Sequence, residues 1–171
     1  MSDLNTKKEF LAVYDNHADA VYRRCLFKTS EHEIALDLMQ ESFTRTWDYL
    51  AEGKDVRNVK AFVFTVANNL IKDHYKKKKS IPMADMGDFD PHQIADQVEN
   101  INDKVQVEEV IRALQQLKES DRDILTLSIL DGFGPKEIGK IINERENTVS
   151  VRLHRARSRL RSVLNISNDE E

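Results

Sequence analysis

Between Leu117 and Leu164 the chain carries two short apolar helical patterns parted by a tight turn, then a helix bearing Arg152, Arg155, Arg157, Arg159 and Arg161 with no acidic residue among them. That order describes a helix-turn-helix with a basic second helix. At about 100° per residue, Val149, Leu153, Ala156, Leu160 and Leu164 line one stripe fit for burial, while Asn147, Val151, His154, Arg155 and Ser158 face the other way. Upstream, Pro135 suits a first helical turn, where its missing N–H costs nothing, and Ile138, Ile141 and Ile142 supply an apolar stripe. Asn143 stands where the chain must turn and tolerates the left-handed conformation. The competing account is a solvated arginine-rich surface helix that closes a helical domain.

The charge of this segment is concentrated, because the 171-residue chain as a whole has a formal net charge of −4. A locally basic helix in an acidic protein points to a defined phosphate-bearing partner. Only five Gly and three Pro interrupt the chain, as an all-α protein requires. Nothing reads as a membrane span or a signal peptide, so the expected compartment is the cytoplasm. Cys25 is the only cysteine and reads as a small apolar filler; no disulfide and no multi-cysteine zinc site can form within the chain. His17, His32, His74, His92 and His154 are scattered, and there is no HExxH, Gly-rich phosphate loop or Ser/His/Asp order. The expectation is a protein that is not an enzyme and needs no cofactor or metal.

From Ile81 to Val107, Asp85, Asp88, Asp90, Asp96, Glu99 and Asp103 face a single Lys104, and Pro82, Gly87 and Pro91 break any regular pattern. The chain therefore divides into a helical domain at 1–80, an acidic flexible linker at 81–106, and a helix-turn-helix domain with a short acidic tail at 107–171.

Three helical patterns fill the first domain. The first, Leu4 to Phe27, offers Phe10, Tyr14, Val21 and Cys25 for burial. The second is announced by Ser30 and Glu33 at capping-box spacing and buries Leu36, Met39, Phe43, Trp47 and Leu50. Its other side combines Ile34 and Leu38 with Asp37, Glu41 and Asp48, and Gln40 lies at the margin. That surface suits docking, although exposed leucines also occur singly on ordinary surfaces. The third pattern, Val59 to Lys78, buries Val63, Val66, Ala67 and Leu70 and turns Thr65, Asn69, Lys72 and Lys76 outward, ending in the run Lys76–Lys79. Terminal lysines complement a helix dipole. Interleaved with Phe62, Phe64, His74 and Tyr75, they also suit a nucleic-acid surface on which cations follow phosphates and rings receive unstacked bases.

These segments resemble the bacterial RNA polymerase sigma factors of the extracytoplasmic-function (ECF) group. Glu33 to Trp47 is similar to their core-polymerase-binding region, Lys60 to Lys77 to their promoter-melting helix, and Thr148 to Arg157 to their upstream-element recognition helix. The resemblance implies an alternative sigma factor that binds core RNA polymerase, directs it to promoter DNA and opens the duplex. It assigns Asp37, Leu38, Gln40 and Glu41 to the polymerase, and Asn69, Lys72 and Lys76, with the loop from Glu52 to Asn58, to the −10 element. Asn147, Ser150, Val151, His154, Arg155 and Arg159 fall to the −35 element. It further implies a polymerase-threading linker and an anti-sigma partner. Ser150 and Val151 stand where members commonly carry a basic residue and then Ser, and Asn147 replaces a frequent Gly, so −35 specificity does not transfer. Two other readings remain open: a two-domain helix-turn-helix regulator that senses a ligand, and a helical scaffold that does not bind DNA.

Overall fold

The computed structural model describes the backbone of residues 2–78 and 101–168, and side chains over 4–78 and 108–164. The expected linker therefore lies outside the described residues up to position 100, as do Lys79 and the end of the acidic tail. Among the described residues there are seven α-helices and no strand. They belong to two compact units, Met1–Phe89 and Asp90–Glu171.

The first unit is built from α1 (Ser2–Thr29), α2 (His32–Ala51) and α3 (Val59–Lys78), each packed on the other two. Val21, Cys25 and Leu26 of α1 meet Ala35, Met39, Phe43 and Leu50 of α2 and Val63, Phe64, Ala67, Leu70 and Ile71 of α3 in one apolar core. Cys25 lies inside it, and burial pushes its thiol up to about 12, which keeps it protonated and unreactive. Inside the same core the Arg24 guanidinium donates to Asn68 Oδ1 at 2.8 Å, a buried polar tie between α1 and α3.

Two details of this unit depart from the sequence reading. Ser30 does not cap α2. It takes the left-handed conformation (φ 56°) and its N–H closes α1 on the Leu26 carbonyl at 2.8 Å, leaving Glu31 in the N-cap position with no capping bond from its side chain. A residue in that conformation terminates the helix before it, so Ser30 and Glu33 form no capping box. The buried arc of α2 is also rotated. Ser42 and Thr46 face inward because their hydroxyls bond carbonyls of their own helix, Leu38 O at 2.5 Å and Ser42 O at 2.8 Å. Leu36 and Trp47 are thereby moved to one margin, half-buried. Trp47 and Phe43 pack there against Phe10, with ring centroids 5.1 and 6.1 Å away, and Tyr14 packs edge-on against Phe43 at 4.8 Å although 40% exposed.

The second unit contains α4 (Ile101–Gln115), α5 (Glu119–Leu125) running into a π-helical turn at Thr126–Leu130, α6 (Pro135–Ile142) and α7 (Glu146–Asn168). α4 thus begins inside the stretch read as linker. α7 packs on α4, α5 and α6 through Val149, Leu153, Ala156 and Leu160, which meet Ile111, Leu114, Ile124, Leu125, Ile138 and Ile141. Pro135 opens α6, where the Glu137 carboxylate accepts the Gly134 N–H at 3.0 Å. Asn143 closes it in the left-handed conformation (φ 59°), and the Glu144 N–H returns to the Gly139 carbonyl at 2.8 Å. Gly139 is fixed by close approach: a Cβ there would lie 2.6 Å from the Glu144 carbonyl oxygen. The α6–α7 turn therefore depends on Pro135, Gly139 and Asn143 together.

Candidate nucleic-acid and partner interfaces

On α2, Asp37, Gln40 and Glu41 are exposed, and Glu41 Oε1 accepts from Arg45 Nε at 2.6 Å. Leu38 and Ile34 are half-buried, which corrects the expectation that both stand exposed. The rotation of the arc toward Ser42 and Thr46 draws them partly in. The surface is therefore a row of carboxylates and an amide with a leucine edge, rather than an acid-ringed apolar knob.

On α3, Asn69, Lys72 and Lys76 are exposed at spacings of three and four residues, so they share one face. Lys76 is 78% exposed, with the Asp73 carboxylate 3.7 Å away. Thr65, expected outward with them, is half-buried and its hydroxyl bonds the Ala61 carbonyl at 2.9 Å. Asn68, one position away from Asn69, is buried on Arg24. Of the rings expected to receive bases, Phe64 lies wholly in the core and is removed from that role. Phe62 stacks on Tyr49 at 4.8 Å, and His74 and Tyr75 are half-buried at the surface. Lys78 reaches across to Glu31 at 2.7 Å, a bond that raises its pKa and holds the end of α3 to the α1–α2 turn.

The loop between α2 and α3 is organised by the same Tyr49. The Lys54 ammonium lies 4.5 Å from the Tyr49 ring centroid and is paired with Glu52, while Gly53 supplies the left-handed turn (φ 77°). Asn58 caps α3 by accepting the Ala61 N–H at 2.9 Å. Sequence reasoning included this loop but not the stack that shapes it. The adjacency of Tyr49 and Phe62 is tertiary and leaves no local signal.

On α7, Asn147, Ser150, Val151, His154 and Arg155 are exposed, Val151 by 51%. Arg155 and Arg161 have no partner among the described residues. The other three arginines are engaged within the unit. Arg152 pairs with Glu144 and donates to the Ser120 carbonyl at 3.1 Å, Arg157 donates to Ser128 Oγ at 2.9 Å, and Arg159 pairs with Asp121. The charge face read from the sequence is thus narrower in the structure.

One helical unit with an acidic face and a lysine–amide face, and a second built as a helix-turn-helix with an exposed following helix, define a two-domain helical transcription protein. The model of Sigma-70 region 2 matches residues 13–81, and that of Sigma-70 region 4 matches residues 107–160. The chain is 30% identical to the ECF RNA polymerase sigma factor SigM of Bacillus subtilis (strain 168), over 93% of this chain and 97% of that one. It is 29% identical to the ECF RNA polymerase sigma factor SigL of Mycobacterium tuberculosis (strain H37Rv), over 90% and 87%. The chain belongs to the ECF sigma factor family. In fold it is similar to the sigma factor RpoE of Bartonella quintana, solved with the anti-sigma factor NepR, at a TM-score of 0.69 and 22% identity, covering 97% and 99% of the two chains. A model of the type VI secretion protein VipA also overlaps residues 57–127, a span that takes parts of both units and corresponds to neither. Among the described residues no helix is long and apolar enough to cross a membrane.

Proposed function

We infer that this chain acts as an alternative sigma factor: it joins core RNA polymerase, directs it to particular promoters and assists opening of the duplex. The observation that carries this reading is the presence in one chain of both sigma regions, in order and each on its own unit. In this reading Asp37, Gln40 and Glu41, with Leu38 at their edge, dock on the polymerase through charge complementarity. Asn69, Lys72 and Lys76 meet the −10 element, where extruding a base costs a few kcal/mol that capture on the protein offsets. In the same reading the loop at 52–58, held by the Lys54–Tyr49–Phe62 stack, engages the −10 element with them. Asn147, Ser150, Val151 and His154 face the bases of the −35 element, with the Val151 methyls suited to a thymine methyl, and Arg155 holds a phosphate. Bond-making chemistry belongs to the polymerase, and the protein works in the cytoplasm alongside it. An anti-sigma factor holds it inactive, as NepR partners the similar RpoE.

The test is co-purification of the full chain with core polymerase, followed by run-off transcription on genomic DNA. Asp37→Arg with Glu41→Arg should weaken core binding at least about tenfold, while the melting temperature moves by a few degrees at most, because exposed charge reversals change folding little. Defined transcripts that depend on the chain are expected; operator binding without any core association would overturn the reading.

A further inference from the structure

Three of the five arginines on α7 reach back into their own unit, and two of them reach the same place. Ser120 and Asp121 are neighbours in the first turn of α5; the Ser120 carbonyl accepts from Arg152 at 3.1 Å, and the Asp121 carboxylate is paired with Arg159. Arg152 and Arg159 lie two turns apart on α7. One end of α5 is thereby fastened to the recognition helix at two points, and Arg152 also ties it to Glu144 in the turn that precedes it. The apolar stripe of Val149, Leu153, Ala156 and Leu160 secures α7 to the core, but apolar contact is non-directional and leaves the helix free to roll by small angles. A planar guanidinium on a carboxylate is directional. Asp121 is 8% exposed while Arg159 is 54% exposed, so the carboxylate is the fixed member and the arginine is drawn onto it. Leaving such a carboxylate unpaired is costly, which opposes exchange of Arg159 onto a DNA phosphate.

We propose that Arg159 and Asp121 form a positioning pair that sets the angle at which α7 presents Asn147, Ser150, Val151 and His154 to the −35 element, and that Arg159 contacts no phosphate. This rests on the sigma-factor reading and reassigns Arg159, which the family resemblance places among the −35 contacts.

The experiment uses holoenzyme assembled from core polymerase and the full chain, titrated over a range of salt. The probes are a promoter fragment recovered by run-off transcription and the same fragment with its upstream element scrambled. Asp121→Asn and Arg159→Ala should each lower the preference for the intact element about tenfold, the double variant no further, and Arg159→Lys should recover part of it. The salt slope should be that of the wild type in all of them, whereas losing a phosphate contact lowers it by about one. A lowered slope in Arg159→Ala, additive losses, or an unchanged preference accompanied by a lower melting temperature would each overturn the assignment. Should Asp121→Asn fail to fold, Arg159→Ala against Arg159→Lys carries the same test. A wild-type holoenzyme without any preference overturns the sigma reading and this pair with it, and is distinct from a wild type and an Arg159→Ala variant that discriminate equally.

Discussion

α3 and α7 are both cationic helices that turn one face to solvent, yet they deploy their charge in opposite ways. On α3 the ammonium groups of Lys72 and Lys76 stand out in solvent, and Lys78 alone of these three is tied outside its own helix, to the α1–α2 turn. On α7 three of the five guanidinium groups are engaged with Ser120, Asp121, Ser128 and Glu144. The difference follows from side-chain chemistry: an ammonium is a strongly hydrated point charge, whereas a guanidinium donates in a fixed fork and loses less on leaving water. A lysine face can adapt to a flexible single strand. An arginine-braced helix is suited to a rigid groove in which angle matters.

The comparison is broken most severely at Gly139. A side chain there meets backbone that cannot move aside, so Gly139→Val should destabilise the second unit by about 3 kcal/mol or more. Trp47, the single tryptophan, reports only on the first unit. Its fluorescence transition in urea should be unchanged, while the helical circular dichroism loses the second unit's share at lower denaturant. A shifted Trp47 transition would show that the units do not unfold independently.

A smaller effect tests the outward lysines. Asn69→Ala with Lys76→Ala should leave holoenzyme assembly intact and reduce transcript yield about tenfold on a paired template. On a template premelted across the −10 element most of the yield should return, because the bases are already unstacked. An equal deficit on both templates would place these residues in assembly.

Arg155→Ala sharpens the other side of the comparison. As an exposed arginine without an internal partner, it should weaken holoenzyme binding to intact and scrambled upstream elements alike, several-fold, and lower the salt slope by about one. Substitutions at Val151 or His154 should instead change the ratio between the two fragments.

The smallest effect concerns His17 in the first unit. Burial, and then the nearby Lys60 charge, lower its pKa below the ordinary 6.5, so the unfolded chain binds this proton more readily than the folded one. Its contribution to stability is full above pH 6.5 and is lost as pH falls through that value toward the folded pKa. The urea midpoint should drop slightly between pH 7.5 and 5.5 by a part that His17→Gln abolishes.

What the sequence disclosed was local. The stripes of α6 and α7, the proline that opens α6 and the left-handed Asn143 follow from helical period and cap chemistry, which act over a few residues. Ser30 misled because a serine beside a helix start satisfies the same local rule whether it opens that helix or closes the one before. Ser42 and Thr46 misled because hydroxyls count as polar in a pattern, yet become compatible with a core once bonded to their own helix. The Arg24–Asn68 tie, the Tyr49–Phe62 stack and the arginine braces join residues far apart in the chain, so neither spacing nor composition marks them. The faces proposed for the −10 and −35 elements were legible as residue types in outward positions. How many of those charges are available was not, because availability depends on the partner across the fold.

The π-helical turn at Thr126–Leu130 has a consequence for chain length. There the Asp131 N–H returns to the Thr126 carbonyl at 3.2 Å, five residues back, where an α-helix would close over four. The turn holds one residue more than regular helix would need, just before the left-handed Gly132 lets the chain change direction. Its outer side is held by Arg157 on Ser128, and it sits between α5, fastened at its first turn by Arg152 and Arg159, and α6, closed by Gly139 and Asn143. A homologue shorter by one residue here can lose the bulge and keep both ends in place, whereas one shortened in the α6–α7 turn must rebuild its recognition helix.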